Sequence, residues 1–316
     1  MKVCSSIGIT EMILYLLLLF TLNVPVFAQS NIEYSSKGEH VTIPMIFKSA
    51  AFQQEYMLMH YWDHLSAGEL RVSSELYERL FVDYINLFNG IPKKVVEGSL
   101  CKMTDLYVHD SLMLKQILQI SEKYFFNPNS PIRNEEWYIP VIKTVLRSSD
   151  ISSAQKIRLN YLLHLMNKNR INTVATNFNM TLANQSEFDL YGIESEYIIL
   201  YFSNPDCQAC VETTNEMAQS KLMNVLINKN TNQKSMLKVV NIYTDEDVDS
   251  WLVKEPQLPK VWINVYDRQG AINKEELYDL KAIPTLYLLD KDKRVILKDV
   301  TLKIIETYLE SKNISR

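Results

Sequence analysis

Tyr197-Ile198-Ile199-Leu200-Tyr201-Phe202-Ser203-Asn204-Pro205-Asp206-Cys207-Gln208-Ala209-Cys210 opens with an unbroken apolar run. Such a run reads as a strand buried on both faces. A short polar loop follows, then two cysteines three apart at the start of a helical stretch. At that spacing they lie on one side of the helix, about as close as a disulfide requires. A cysteine pair placed so after a buried strand is a dithiol redox signature. Further on, Ala282-Ile283-Pro284-Thr285 stands directly before a second apolar run, Leu286-Tyr287-Leu288-Leu289. The Ile-Pro bond there suggests a cis-proline loop.

Outward from this stretch the pattern alternates strand and helix. Phe178, Met180 and Leu182 alternate with polar residues, as do Phe188 and Leu190, which predicts a hairpin turning at 183–186. A helix from Cys207 to about 227, a strand over 237–243 and a helix around 245–254 come next. A segment rich in Pro, Trp and Tyr reads as irregular. Then follow a short helix at 274–280, strands over 285–289 and 295–298, and a closing helix at 301–310. This order implies an α/β layered domain. Upstream the period is helical. Leu76, Leu80, Tyr84, Leu87 and Phe88 form one apolar face that stops at Gly90-Ile91-Pro92. A second periodic stretch runs from Leu100 to Tyr124, and Asn127-Pro128-Asn129-Ser130-Pro131 breaks it. Helices around 135–147 and 152–169 complete an all-α domain. The expected organisation is a signal peptide at 1–28, a helical domain at 29–170 and an α/β domain at 171–316.

The ends and the composition narrow the function. Residues 12–22 are almost wholly apolar but short for a bilayer span. Val26-Phe27-Ala28 then offers small residues where a signal peptidase cuts, so export to the periplasm is expected. An uncleaved membrane anchor is the alternative, because Lys2 is the one basic side chain ahead of the apolar run. With 33 basic and 37 acidic residues and no basic block, nucleic-acid binding has no support. Seven glycines form neither a dinucleotide fingerprint nor a Walker sequence, and no serine sits in a hydrolase elbow. Cleavage leaves Cys101, Cys207 and Cys210, too few for a disulfide scaffold. A zinc site is not expected, since there is no second close cysteine pair.

The stretch 201–210 and Ile283-Pro284-Thr285 carry a resemblance. Residues 172–316 resemble the thioredoxin-like superfamily, in particular its exported TlpA-like branch with an extra N-terminal hairpin. The upstream part is similar to an uncharacterised domain that precedes such domains in exported bacterial proteins. Met59-His60-Tyr61-Trp62-Asp63, 127–136 and 191–210 carry that second likeness. The resemblance implies a central mixed sheet flanked by helices, a redox-active disulfide Cys207–Cys210, and main-chain contacts from Ile283 beside Pro284 to a substrate. The chain departs from the family pattern at Asp206, where Trp is usual, at Gln208-Ala209, where Gly-Pro is usual, and at Thr213, where several relatives have glutamate.

The attacking species in disulfide exchange is a thiolate. Helix N-terminal N–H groups and the helix dipole would steady it at Cys207, with Cys210 as the resolving thiol. Asp206 is expected to cap the helix, compete for those N–H groups and disfavour an adjacent anion. A less stabilised thiolate means a lower potential and hence a reductant. The expected function is therefore thiol–disulfide exchange on protein or small-thiol substrates, with electrons supplied by a membrane or periplasmic donor. No metal or organic cofactor is implied. An envelope-binding scaffold with an incidental disulfide is the alternative. A peroxidase is a weaker one, since Asn204 stands where a Thr-x-x-Cys arrangement has Thr. His60 and His64, four apart, lack the glutamate of a zinc protease and read as packing or surface residues, and Cys101 reads as a core residue.

Overall fold

The computed structural model describes residues 41–312 except 64, 66, 73, 232 and 233, together with the backbone of 35–36 and 39–40. Residues 1–28, expected to be a signal peptide, and His64 lie outside the described residues. Among the described residues no helix is long and apolar enough to cross a membrane. The chain forms two compact units, one ending at Ile120 and one beginning at Ser121.

The first unit is helical: α1 (Ala50–His60), α2 (Ala67–Val72), α3 (Ser74–Asn86), α4 (Lys93–Asp105) and α5 (Ser111–Ser121). The apolar face read over residues 76–88 is buried as expected, through Tyr77, Leu80, Phe81 and Tyr84. An aromatic nest of Tyr61, Trp62, Tyr77, Phe81, Tyr84 and Phe88 fills the core. Gly90 ends the run in the left-handed region at φ 77°, where a side chain is disfavoured. His60 lies in a polar cluster, its Nδ1 2.6 Å from Asp63, which Lys102 also pairs. Cys101 is half-buried on α4 rather than fully buried.

The second unit starts with a π-helical turn (Glu122–Phe126), α6 (Glu135–Val145) and α7 (Ser153–Asn167). Asn134 caps α6, and Ser152 with Gln155 forms a capping box on α7. Seven strands follow: β1 (Asn179–Thr181), β2 (Glu187–Asp189), β3 (Tyr197–Phe202), β4 (Leu237–Tyr243), β5 (Ile263–Tyr266), β6 (Thr285–Asp290) and β7 (Val295–Lys298). Their order in the sheet is β2-β1-β5-β4-β3-β6-β7. β3, β4 and β5 run parallel, while β6 lies antiparallel to β3 and β7 antiparallel to β6. The sheet is therefore mixed, flanked by α8 (Gln208–Gln219), α9 (Lys221–Asn228), α10 (Val248–Lys254), α11 (Ala271–Lys274) and α12 (Leu302–Ser311).

β3 is central, and its alternate residues feed two cores. Ile198, Leu200 and Phe202 pack with Phe178, Tyr278 and Tyr287. Ile199 and Tyr201 face the other way, with Met217, Leu226, Leu288 and Ile305. A strand covered on both faces needs this continuous apolar run.

Three differences from the sequence reading have local causes. The single helix expected over 207–227 breaks at Ser220, which adopts extended ψ 119° and caps the next helix through Met223 N. The segment expected to be irregular contains β5, too short a strand to show alternation and set close behind Pro259. The helix expected at 274–280 is instead the short α11, whose end is followed by Glu276 at φ 49°. Phe202→Ala would open a cavity among Phe178, Tyr278 and Tyr287. We expect a loss of about 3–5 kcal/mol in denaturant unfolding; a loss below ~1 kcal/mol would show that this core is not tightly packed.

Candidate functional site

The parallel strands β3 and β4 end on the same side, and the loop from Ser203 to Cys207 is built on that edge. Ser203 N donates to Ile242 O at 3.0 Å. The Ser203 hydroxyl then begins a buried polar ladder, donating to Asn241 Oδ1 at 2.5 Å, with Asn241 Nδ2 donating to Asn264 Oδ1 at 3.2 Å. Asn204 turns the chain: its Oδ1 accepts from Asp206 N at 2.7 Å and its carbonyl accepts from Cys207 N at 3.0 Å. Asn204 Nδ2 donates to the Asp245 carboxylate beyond β4. These bonds account for the Asn-Pro-Asp sequence, since Asn offers the side-chain acceptor that an Asx turn needs.

Cys207 is the N-cap of α8, at φ −88° and ψ 117°. Its sulfur accepts from Cys210 N at 3.4 Å. The sulfur also lies 3.8 Å from the Ile283 carbonyl, to which the thiol donates. Cys207 is half-buried, whereas Cys210 is 1% exposed. Burial, followed by the contact with Cys207, pushes the Cys210 thiol up to about 12. The two thiols are thus unequal: one reaches solvent and one is kept protonated at neutral pH.

The Ile283–Pro284 bond is cis, and Pro284 leads straight into β6. Phe202 pairs with Thr285 across β3 and β6. That register brings the end of β3 and the start of β6 to one place, so Cys207, Cys210, Ile283 and Pro284 converge.

Asp206 is close by but not in the expected role. The capping position belongs to Cys207, and the Asp206 carboxylate, 60% exposed, pairs with Lys254 at the end of α10. Asp206 therefore does not compete for the helix N–H groups, and Lys254 offsets its charge beside the thiol. The sequence held no sign of this partner, because Lys254 is far along the chain.

Two further residues shape the site. Tyr201, buried on β3, donates its hydroxyl to the Cys210 carbonyl at 2.6 Å and lies 3.1 Å from the Thr214 hydroxyl. Burial pushes the Tyr201 phenol well above its ordinary value, so it stays a neutral donor. It read as one more apolar residue of the strand; the signal was a tyrosine in an otherwise fully buried run, whose hydroxyl must find a partner.

Comparison with known proteins extends the description. Residues 24–169 match the model of a domain of unknown function, DUF5106. A thioredoxin-like protein from Bacteroides caccae is 37% identical, over 88% of this chain and 99% of that one, with a TM-score of 0.82. The C-terminal domain of an uncharacterized protein from Bacteroides fragilis is 42% identical over 45% of this chain and 98% of that one, at a TM-score of 0.43. The thioredoxin domain of a thiol-disulfide oxidoreductase from Bacteroides vulgatus is 16% identical over 45% of this chain and 97% of that one, at a TM-score of 0.38. None of the curated proteins matches.

Iodoacetamide at pH 8 should label Cys207 and leave Cys210 unmodified in the folded, reduced protein, as read by peptide mass spectrometry. Raising the pH toward 12 should begin to expose Cys210, because its thiol ionises only there. Equal labelling at pH 8 would contradict the burial of Cys210. Lys254→Gln should slow Cys207 alkylation at pH 7 by about two- to threefold, the scale of one exposed charge pair. Asp206→Asn in that background should restore the rate. No change in either variant would show that the pair does not act on the thiol.

Proposed function

This chain belongs to the thioredoxin-like family, and on that premise we propose that it is a thiol–disulfide oxidoreductase working through Cys207 and Cys210. The observation that carries the reading is the asymmetry of the pair. A reachable sulfur at a helix N-terminus faces the Ile283 carbonyl, with a buried thiol one turn behind it.

The Cys207 thiolate attacks one sulfur of a substrate disulfide, forming a mixed disulfide and expelling the other sulfur as a thiolate. Cys210, once deprotonated, attacks the Cys207 sulfur. That step forms the Cys207–Cys210 bond and releases the second substrate thiolate. Two electrons pass from the protein dithiol to the substrate, and the two protons given up by the cysteines end on the substrate thiols. The high pKa of Cys210 keeps it from attacking early. Tyr201 fixes the Cys210 carbonyl and with it the first turn of α8. Ile283, beside Pro284, offers the main-chain groups against which a substrate backbone would lie.

The direction we propose is reduction. The Cys207 sulfur accepts the Cys210 N–H at 3.4 Å, and the charged pair beside it, Asp206–Lys254, offsets itself and adds no net positive charge. A sulfur with no net positive charge set against it has little to favour the reduced form, so the disulfide is comparatively stable and the couple falls among reductants. The substrates are protein or small-molecule disulfides in the periplasm, and a membrane or periplasmic donor returns the electrons. The redox-active disulfide is the only cofactor the chemistry calls for.

The mature chain should accelerate insulin reduction by dithiothreitol, followed as turbidity. Cys207→Ser should fall to the uncatalysed rate. Cys210→Ser should accumulate a mixed disulfide with substrate, visible as a mass adduct that dithiothreitol removes. A Cys207→Ser variant as fast as the parent would sink the proposal and leave the binding-scaffold reading in its place.

A further inference from the structure

Six charged side chains converge inside the second unit, behind the loop that faces the dithiol. Lys281 is 11% exposed, and its ammonium pairs with Glu135, with Asp279 at 2.9 Å and with Asp299 at 3.7 Å. The Phe126 ring lies under it at 4.5 Å. Lys298, 6% exposed, pairs with Glu135 at 2.8 Å. Arg133 holds Asp299 through both its carboxylate, at 3.3 Å, and its carbonyl, at 2.9 Å. Three acids thus meet three bases with little water between them.

The partners of Lys281 come from separate parts of the fold. Glu135 is in the first turn of α6, Asp279 lies in the same loop as Lys281, and Asp299 follows β7. Burial works against the charge on Lys281, but the three carboxylates outweigh it and hold its amine above the ordinary value. Burial pushes the Glu135 carboxyl up, but Lys298 and Lys281 outweigh it and hold it below the ordinary range. Both are therefore charged at neutral pH. Well-packed apolar residues would fill such a space at no loss of stability. What a fixed ion cluster adds is position, since an ammonium among three carboxylates has one place to sit.

Lys281 is two residues before Ile283, whose carbonyl lies 3.8 Å from the Cys207 sulfur. On the other side of the loop, Thr285 is already paired into the sheet. Residues 282–284 are therefore strung between an ionic anchor and the start of a strand. We propose that residues 126–135, through Lys281, set the position of the cis-proline loop, so that this part of the helical sequence governs affinity for polypeptide disulfides more than it governs the reactivity of Cys207. The proposal rests on the oxidoreductase reading above. Lys281 and Glu135 act as positioning residues, because neither touches the sulfurs.

The test uses the full mature chain with Lys281→Met, Glu135→Gln and the double variant. Each is measured with insulin, with a small aromatic disulfide, and by the amide chemical shifts of Ile283 and Thr285, which report the position of the loop. Lys281→Met should raise KM for insulin by roughly fivefold, the scale of coupling within one ionic network. Its kcat, its rate with the small disulfide and its Cys207 alkylation rate should stay within about twofold of the parent, while both resonances move. Glu135→Gln should shift the same quantities by less, and the double variant should resemble Lys281→Met. An unchanged insulin KM, unmoved resonances, or an equal loss with the small disulfide would overturn the proposal. If Lys281→Met fails to fold, Glu135→Gln decides by the same criteria. If the parent exchanges neither disulfide, the oxidoreductase reading falls and the resonances of Glu135→Gln alone judge the anchor: unmoved resonances refute it, and shifts confined to the loop uphold it.

Discussion

The pairing of β3 with β6 is the constraint on which the site depends. Six consecutive residue pairs, from Tyr197 opposite Asp290 to Phe202 opposite Thr285, fix one strand against the other. The dithiol loop leaves the last pair on one side and the cis-proline loop enters it on the other. Because strand side chains alternate, a slip by one residue would turn Tyr201 out of its core and Phe202 into the wrong one. The register therefore delivers the Cys207 sulfur to the Ile283 carbonyl and places the Tyr201 hydroxyl beneath Cys210. Both faces of β3 are buried, so the cost of such a slip is borne by the whole hydrophobic core.

Given that frame, the differences between the two thiols follow from depth. Cys207 caps α8 at the surface, where the helix leaves N–H groups unused. Cys210 lies one turn further in, against the apolar side of the sheet, and loses solvation. Charges near the site have partners: the Asp245 carboxylate takes the Asn204 amide. Asp206 is met by Lys254, and the six ions behind the cis-proline loop balance each other. In the proposed function the chemistry is left to the sulfurs and the backbone, and in the proposed anchor the charged side chains place the cis-proline loop.

Much of this was legible in the sequence, for reasons particular to each element. The doubly buried β3 announces itself as a continuous apolar run, the 179–189 hairpin as two alternating triplets around a polar turn, and the cysteine pair as a spacing. Ile283-Pro284 marks its loop because proline has few places before a buried strand. The parts that were not legible are those decided by tertiary contacts. Asp206 is a good capping residue by type, but the turn made by Asn204 hands the cap to Cys207, and a lysine some way along the chain takes the carboxylate. β5 is too short to show a period. The helices after Ser121 share the period of those before it, so nothing local reveals that they pack with the sheet. Their charged residues Arg133 and Glu135 look like ordinary helix-start polarity until Lys281, Lys298 and Asp299 are seen around them.

The reduction potential of the Cys207–Cys210 pair bears most directly on this account. It is obtained by equilibrating the mature protein with defined dithiothreitol or glutathione ratios and quantifying the free thiols. A single reversible two-electron couple near or below about −250 mV is predicted, in the range of reducing dithiol proteins. A couple above about −150 mV would contradict the reducing direction, and the absence of any reversible couple would contradict the redox function itself.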